Sequence, residues 1–125
     1  MINETLLYIG SVVIILWGIV HIIPTKSIVD GFLAISEDNK KIITMESIAE
    51  GVTLIFIGVL VFIVTLLVGS QGRAAYIVYL ACAVMLLVMA ILTLMTGART
   101  SIIWYKICPA VKTVVALLFI MGSIL

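Results

Sequence analysis

Three long stretches of the sequence contain no Asp, Glu, Lys or Arg: residues 5–25, 51–72 and 74–98. A helix needs about 20 mostly apolar residues to cross a hydrocarbon core of roughly 30 Å, and each stretch is long enough. Only 10% of the residues are charged, against about 25% in an ordinary soluble domain. The sequence therefore predicts three membrane-spanning helices and excludes an ordinary soluble fold.

A fourth uncharged stretch, residues 113–125, would reach only about 20 Å as a helix. A fourth span must therefore begin near Ile107 and carry Lys112 in its first turn or so. Pro109 would also lie in that first turn, where proline is tolerated. We predict an all-α, integral membrane four-helix bundle, a single domain with spans at about 5–24, 40–70, 74–98 and 107–125.

The only long connection lies between the first and second spans, at about residues 24–39. Its apolar residues Ile28, Phe32 and Ile35 recur at helical spacing, and Ser27 with Asp30 matches a capping box. This pattern favours a short helix at about 27–36 on the membrane surface, the alternative being an ordinary loop. The segment 36–39, Ser-Glu-Asp-Asn, offers N-cap chemistry for the second span.

Composition excludes several classes of protein. The net charge is only +1, without a long basic run, so nucleic-acid binding is not expected. Cys82 and Cys108 lie on different predicted helices and read as small apolar residues, with no disulfide framework. The N-terminus lacks the basic segment of a secretory signal, so the first apolar run should remain as a membrane helix. No phosphate-binding loop or hydrolase nucleophile motif is present.

The distribution of basic residues predicts the orientation in the membrane. If the four spans alternate in direction, one side holds both termini and has Arg73 alone. The other side holds Lys26, Lys40, Lys41, Arg99 and Lys106. The positive-inside rule then places both termini outside and the two larger loops in the cytoplasm.

Ionisable residues inside a membrane are costly and require a partner or a water-lined cavity. Alternation of the spans brings His21, Glu46, Glu50 and Lys112 to the cytoplasmic end of the bundle. Trp17 shares a helix face with His21, and Thr53 shares a face with Glu46 and Glu50, by i, i+4 or similar spacing. The sequence predicts a ligand pocket between the first two spans, lined by Trp17, His21, Glu46, Glu50, Thr53 and Lys112.

Each of these residues also has a simpler interpretation. Glu46 could reach headgroup water, Lys112 could snorkel to the interface, and His21 could form an interhelical hydrogen bond. Glu50 precedes 22 uncharged residues, so we expect an interior partner for it. The residue types resemble a facial triad, but the Glu-x-x-His pairs of di-iron bundles are absent, and no metal ligands are assigned. A single histidine also excludes haem held by two histidines of one chain.

The segment Trp17-Gly-Ile-Val-His-Ile-Ile-Pro24 resembles the Gly-x-x-His-x-x-Pro stretch of small DoxX-like membrane proteins. The resemblance implies a compact four-helix bundle with a polar pocket near one membrane face and a redox-linked role. Glu46, Glu50 and the segment 107–109 lie outside that motif. Small multidrug transporters share the size and span number, but their membrane carboxylate is on the first helix.

Three functions compete at this stage. The first is a pocket for a lipophilic ligand or cofactor such as a quinone, lipid or haem; in an enzyme, Glu50 would be the general acid or base and His21 would share its proton. The second is an assembly subunit of a larger membrane complex, docked through small residues. The third is a dimeric proton-coupled transporter with Glu50 as the exchange site. The small residues at helical spacing, through which an assembly subunit would dock, are Gly10, Gly18, Ser47, Gly51, Gly58, Ala83, Ala90 and Gly97.

Overall fold

The computed structural model describes residues 2–32 and 34–125 of the chain. Four of its helices are long and apolar enough to cross a membrane, and the described residues contain no strand. The predicted all-α, multi-pass membrane bundle is therefore confirmed. In chain order the helices are α1 (Ile2–Ile22), α2 (Thr25–Asp30), α3 (Glu37–Val68), α4 (Arg73–Met95) and α5 (Ile103–Ile124), with a 3-10 turn at Gly97–Arg99 before α5.

The start of α3 is set by the predicted N-cap. The Ser36 side chain accepts a hydrogen bond of 3.1 Å from the backbone N–H of Asn39. This bond satisfies one of the free N–H groups in the first helical turn. As a result α3 begins at Glu37, three residues before the predicted start.

The fourth span begins at Ile103, four residues before the predicted start, because its first turn packs against α1. The Trp104 ring lies 6.3 Å from that of Trp17, and the Tyr105 ring lies 5.8 Å from that of His21. The prediction that Pro109 occupies the first turn is therefore wrong, since it lies in the second. Residue 112 is correspondingly deeper, about 14 Å along the helix from its first residue.

The short helix α2 ends sooner than predicted and begins differently. Its N-cap is Pro24, and no side chain of the described residues caps its first turn. The capping box of Ser27 and Asp30 is thus wrong. The helix stops at Asp30, and the backbone of Ala34 has a φ of 62°, a left-handed conformation that a helix cannot include. The predicted range 27–36 also includes residue 33, which lies outside the described residues.

Helix α1 packs closely against α3 because glycines face each other at the contact. A Cβ on Gly18 would lie 2.7 Å from the carbonyl oxygen of Gly51, and one on Gly58 would lie 2.7 Å from that of Ser11. Only small residues permit this approach of two backbones. The predicted small-residue packing surfaces are confirmed at these positions.

The remaining helices complete a ring in the order α3, α1, α5, α4. Helix α5 packs against both α1 and α4, whereas α3 and α4 touch only weakly. At the end holding the α3–α4 turn, the buried Tyr79 hydroxyl donates to the carbonyl oxygen of Gly69 at 2.7 Å and lies 3.1 Å from Thr65 Oγ1. Helices α3 and α4 are thus linked by hydrogen bonds at that end and are in only weak contact along the rest of their length.

Candidate functional site

Glu50 on α3 is held between two basic side chains from two other helices. The Lys112 ammonium, on α5, donates to Glu50 Oε1. The other carboxylate oxygen, Oε2, lies 2.9 Å from Nε2 of His21 on α1. The expectation that Glu50 has an interior partner is confirmed, and its partners come from α1 and α5.

Lys112 is fully buried, so the alternative in which it snorkels to the interface is wrong. Its ammonium also donates to Thr93 Oγ1 on α4 at 2.8 Å. Burying a charge is costly unless it is paired and hydrogen-bonded. The early start of α5 explains the difference, because it moves Lys112 too far from the helix end to reach the interface.

His21 closes the cluster on the α1 side. Its side chain is only 4% exposed, and neither ring nitrogen has a hydrogen bond of good geometry within the described residues. Its contact with Glu50 is therefore an ion-pair contact by distance. The Tyr105 ring lies beside the imidazole, so packing as well as charge fixes the ring.

A chain of hydroxyl groups runs from the backbone of His21 to Tyr105. Thr25 Oγ1 donates to the carbonyl oxygen of His21 at 3.0 Å and lies 3.1 Å from Ser47 Oγ. Ser47 Oγ in turn lies 3.5 Å from the Tyr105 hydroxyl. These polar groups tie the end of α1 to α3 and α5.

Cys108 is the functional candidate that sequence reasoning missed. It is fully buried, and its sulfur accepts a hydrogen bond of 3.3 Å from the Trp17 indole N–H. One ligand atom each of Cys108, His21 and Glu50 lie within 4.8 Å of one another. The available signal was its spacing from Lys112: residues four apart share a helix face.

A cavity of about 560 Å³ adjoins this cluster, between α3 and α4. No space remains between α1 and α3 at this level, because Gly18 and Gly51 bring the two backbones together. The pocket location predicted between the first two spans is therefore wrong. The cavity lies instead where α3 and α4 are apart, and it reaches the outer face of the bundle at the exposed side chains of Met85 and Leu92.

The structure brings four of the six predicted ligand residues to this cavity. They are His21, Glu46, Glu50 and Thr53. Trp17 and Lys112 do not line it: Lys112 lies behind Glu50, and the Trp17 indole bonds to Cys108. Further lining residues that were not predicted are Ser47, Met85, Met89, Leu92, Thr93, Thr96 and Tyr105.

Glu46 and Thr53 have peripheral places on the cavity wall. Glu46 is exposed, in agreement with its interpretation as a residue that reaches headgroup water. The Thr53 hydroxyl donates to the carbonyl oxygen of Ala49 in its own helix at 2.8 Å. Glu50 is therefore the acid that faces both the cluster and the cavity.

Fold and site together define a multi-pass membrane protein with a buried ion cluster at one end of a four-helix bundle. Comparisons with protein-family models, with curated proteins and with solved structures gave no match to this chain.

Proposed function

We propose that the protein binds one lipophilic molecule by its polar head group in the cavity between α3 and α4, and that a quinone is the class of molecule that fits. One observation carries this proposal. The carboxylate of Glu50, shared by Lys112 and His21, lies in the wall of a cavity that reaches the lipid-facing surface. Polar groups inside a membrane at such a place favour a ligand.

The size and the walls of the cavity support a ligand of this kind. Small-molecule sites have volumes of roughly 300–1,000 Å³ and mostly apolar walls with a few polar groups, and this cavity has about 560 Å³. Met85, Met89 and Leu92 supply apolar wall on α4. Methionine adapts to flat or irregular partners, and the weak contact of α3 with α4 provides lateral entry from the bilayer.

The polar groups around the cavity favour a head group that accepts hydrogen bonds. Thr93 Oγ1 accepts from Lys112 and donates its own proton to the carbonyl oxygen of Met89 at 2.8 Å, so this hydroxyl is already engaged. The Tyr105 hydroxyl is held only by a long contact of 3.5 Å with Ser47 Oγ, so its proton can be donated into the cavity, whose wall includes Tyr105. A carbonyl oxygen of a quinone would accept this hydrogen bond. Glu50 would act by holding His21 and Lys112 in place, because both of its oxygens are already engaged.

The proposed membrane orientation rests on the charges of the loops. Lys26, Lys40 and Lys41 lie at the end that holds the cavity, so by the positive-inside rule this end faces the cytoplasm and both termini lie outside. Maleimide labelling of intact cells tests it. Gln71→Cys should be labelled in intact cells and Asn39→Cys only after permeabilisation, and the reverse pattern would refute the orientation.

The test of ligand binding is a titration with decylubiquinone of protein purified in mild detergent and treated with a chelator. Trp17 and Trp104 are the only tryptophans, and both lie beside residues of the cavity or cluster, so their fluorescence reports on a quinone there. We expect saturable quenching. Tyr105→Phe should weaken binding about fivefold to tenfold, the loss of one hydrogen bond, and Glu50→Gln should weaken it further.

Glu46→Gln is the matched control, because it changes the same residue type one turn away on the exposed side of the cavity. Its affinity should stay within about twofold of the wild type. Tyr76→Phe, on α4 and off the cavity wall, controls for loss of a phenol hydroxyl. Absence of saturable quenching in the wild type, or equal affinity in Tyr105→Phe and Tyr76→Phe, would refute the proposal.

A further inference from the structure

We propose that His21, Glu50 and Cys108 form a binding site for a divalent transition metal ion, with zinc as the ion that suits this donor set. The site goes beyond the proposed binding of a lipophilic molecule and does not depend on it. It uses Cys108, which lies off the cavity wall, together with a ring nitrogen of His21 and the carboxylate of Glu50.

The three donors converge from three helices. One ligand atom from each residue lies within 4.8 Å of the others, and His21 Nε2 is 2.9 Å from Glu50 Oε2. Neighbouring donors of a tetrahedral zinc ion are about 3.3–3.5 Å apart, given Zn–N and Zn–O distances near 2.0 Å and Zn–S near 2.3 Å. Small side-chain movements would therefore close the three groups around one ion.

His21 is a buried polar group without a satisfied partner. Its side chain is 96% buried, since only 4% is exposed, and neither Nδ1 nor Nε2 has a hydrogen-bond partner within the described part of the chain. Buried polar groups in native proteins are nearly always paired. A metal ion coordinated by the imidazole would supply the missing partner.

The sulfur of Cys108 is already oriented by a hydrogen bond. The Trp17 indole N–H donates to its sulfur at 3.3 Å, and hydrogen bonds to a ligand sulfur orient it and tune its charge at metal sites. Cys82 is also buried but does not belong to a comparable group of donors in the described residues. Thiolate, imidazole and carboxylate together are typical zinc ligands.

Lys112 leaves one side of the carboxylate available to a metal. It holds Oε1 of Glu50, whereas Oε2 faces His21. The thiolate and the carboxylate each carry one negative charge, and the Lys112 ammonium carries one positive charge. With a divalent ion bound, the cluster therefore has a net charge of one positive unit. A buried charge requires compensation, so the fourth position would favour an anionic or strongly dipolar ligand. That ligand would come from the cavity, whose wall includes His21 and Glu50.

The test is a titration of chelator-treated wild-type protein in detergent with Co²⁺, which replaces zinc and absorbs visible light. We expect one equivalent to bind with a thiolate-to-cobalt charge-transfer band, and Zn²⁺ to remove the band. Cys108→Ser should lose the band and bind Co²⁺ more than about 100-fold more weakly, because even outer contacts of a metal site cost about 10–100-fold. Cys82→Ser is the matched control and should retain both.

The wild-type titration tests the proposal even where a variant folds poorly. No charge-transfer band in the wild type, or a band that Cys108→Ser keeps, would overturn it. Size-exclusion elution and helical circular dichroism establish that the two serine variants are folded. The quinone titration is performed with chelator present, so failure of that titration leaves the cobalt result intact, and the reverse also holds.

Discussion

The ammonium of Lys112 on α5 is completely buried and is paired with the carboxylate of Glu50 on α3, the helix opposite α5 in the ring. Through Glu50 the pair reaches His21, and through Thr93 it reaches α4. All four membrane-spanning helices therefore contribute to one polar network at this end of the bundle. An intramembrane charge of this kind fixes the register of the helices that hold it.

Lys112→Met should destabilise the protein by roughly 3 kcal/mol, because it leaves the Glu50 carboxylate buried without its cation. The matched control is Lys40→Met, which breaks the exposed ion pair of 3.7 Å with Glu37 and should cost less than about 0.5 kcal/mol. Unfolding by SDS in mixed micelles, followed by circular dichroism, gives both values. Equal destabilisation by the two substitutions would show that the buried ion pair stabilises the protein no more than the exposed one.

Gly51→Val should separate α1 from α3 and destabilise the bundle by about 1–3 kcal/mol or more. A Cβ at this position would collide with Cγ1 of Ile22 and would lie 2.9 Å from the carbonyl oxygen of Gly18. Val52→Leu adds bulk at the next residue, which is 54% exposed, and should be nearly neutral. The same unfolding assay compares them; a neutral Gly51→Val would mean that the close approach of these helices is not required.

Met85→Trp should fill the outer part of the cavity and weaken binding of decylubiquinone at least tenfold, while the ion cluster remains intact. Ile91→Trp, on the lipid-facing side of the same helix and 58% exposed, is the control for an added indole. Isothermal titration calorimetry in detergent measures both affinities. Similar affinities for the two variants would place the ligand elsewhere.

Trp17→Phe should weaken Co²⁺ binding about 10–100-fold while the thiolate band persists, because it removes the hydrogen bond to the Cys108 sulfur but leaves all three ligands. Trp104→Phe retains that bond and should change the affinity little. The cobalt titration described above provides the measurement. If both substitutions have the same effect, the bond from Trp17 does not influence the metal site.

Much of the fold could be predicted from the absence of charge. Uncharged stretches of about 20 residues leave few alternatives to membrane helices. The segment 36–39 was correctly predicted to cap α3, although the predicted start of the helix was three residues late. The start of α5 could not be found in this way, because the contacts of Trp104 with Trp17 and of Tyr105 with His21 decide it. Such tertiary contacts have no periodic signal in a single sequence.

The site was predictable only in part for the same reason. Placement of an acid at residue 50, ahead of a long uncharged stretch, indicated an interior partner. The roles of Lys112 and Cys108 depend on where α5 begins, so an error of four residues in that start concealed both. The position of the cavity depends on which helices pack tightly, and the glycines of α1 and α3 close the interface where the sequence suggested space.

The most direct test of the central proposal is native mass spectrometry of the protein released from mild detergent, comparing the wild type with Glu50→Gln and Glu46→Gln. The proposal predicts one lipophilic molecule per chain in the wild type and in Glu46→Gln, and its loss in Glu50→Gln, while helical content is retained in all three. A wild-type chain without any such adduct, or an adduct of equal occupancy in all three proteins, would contradict it.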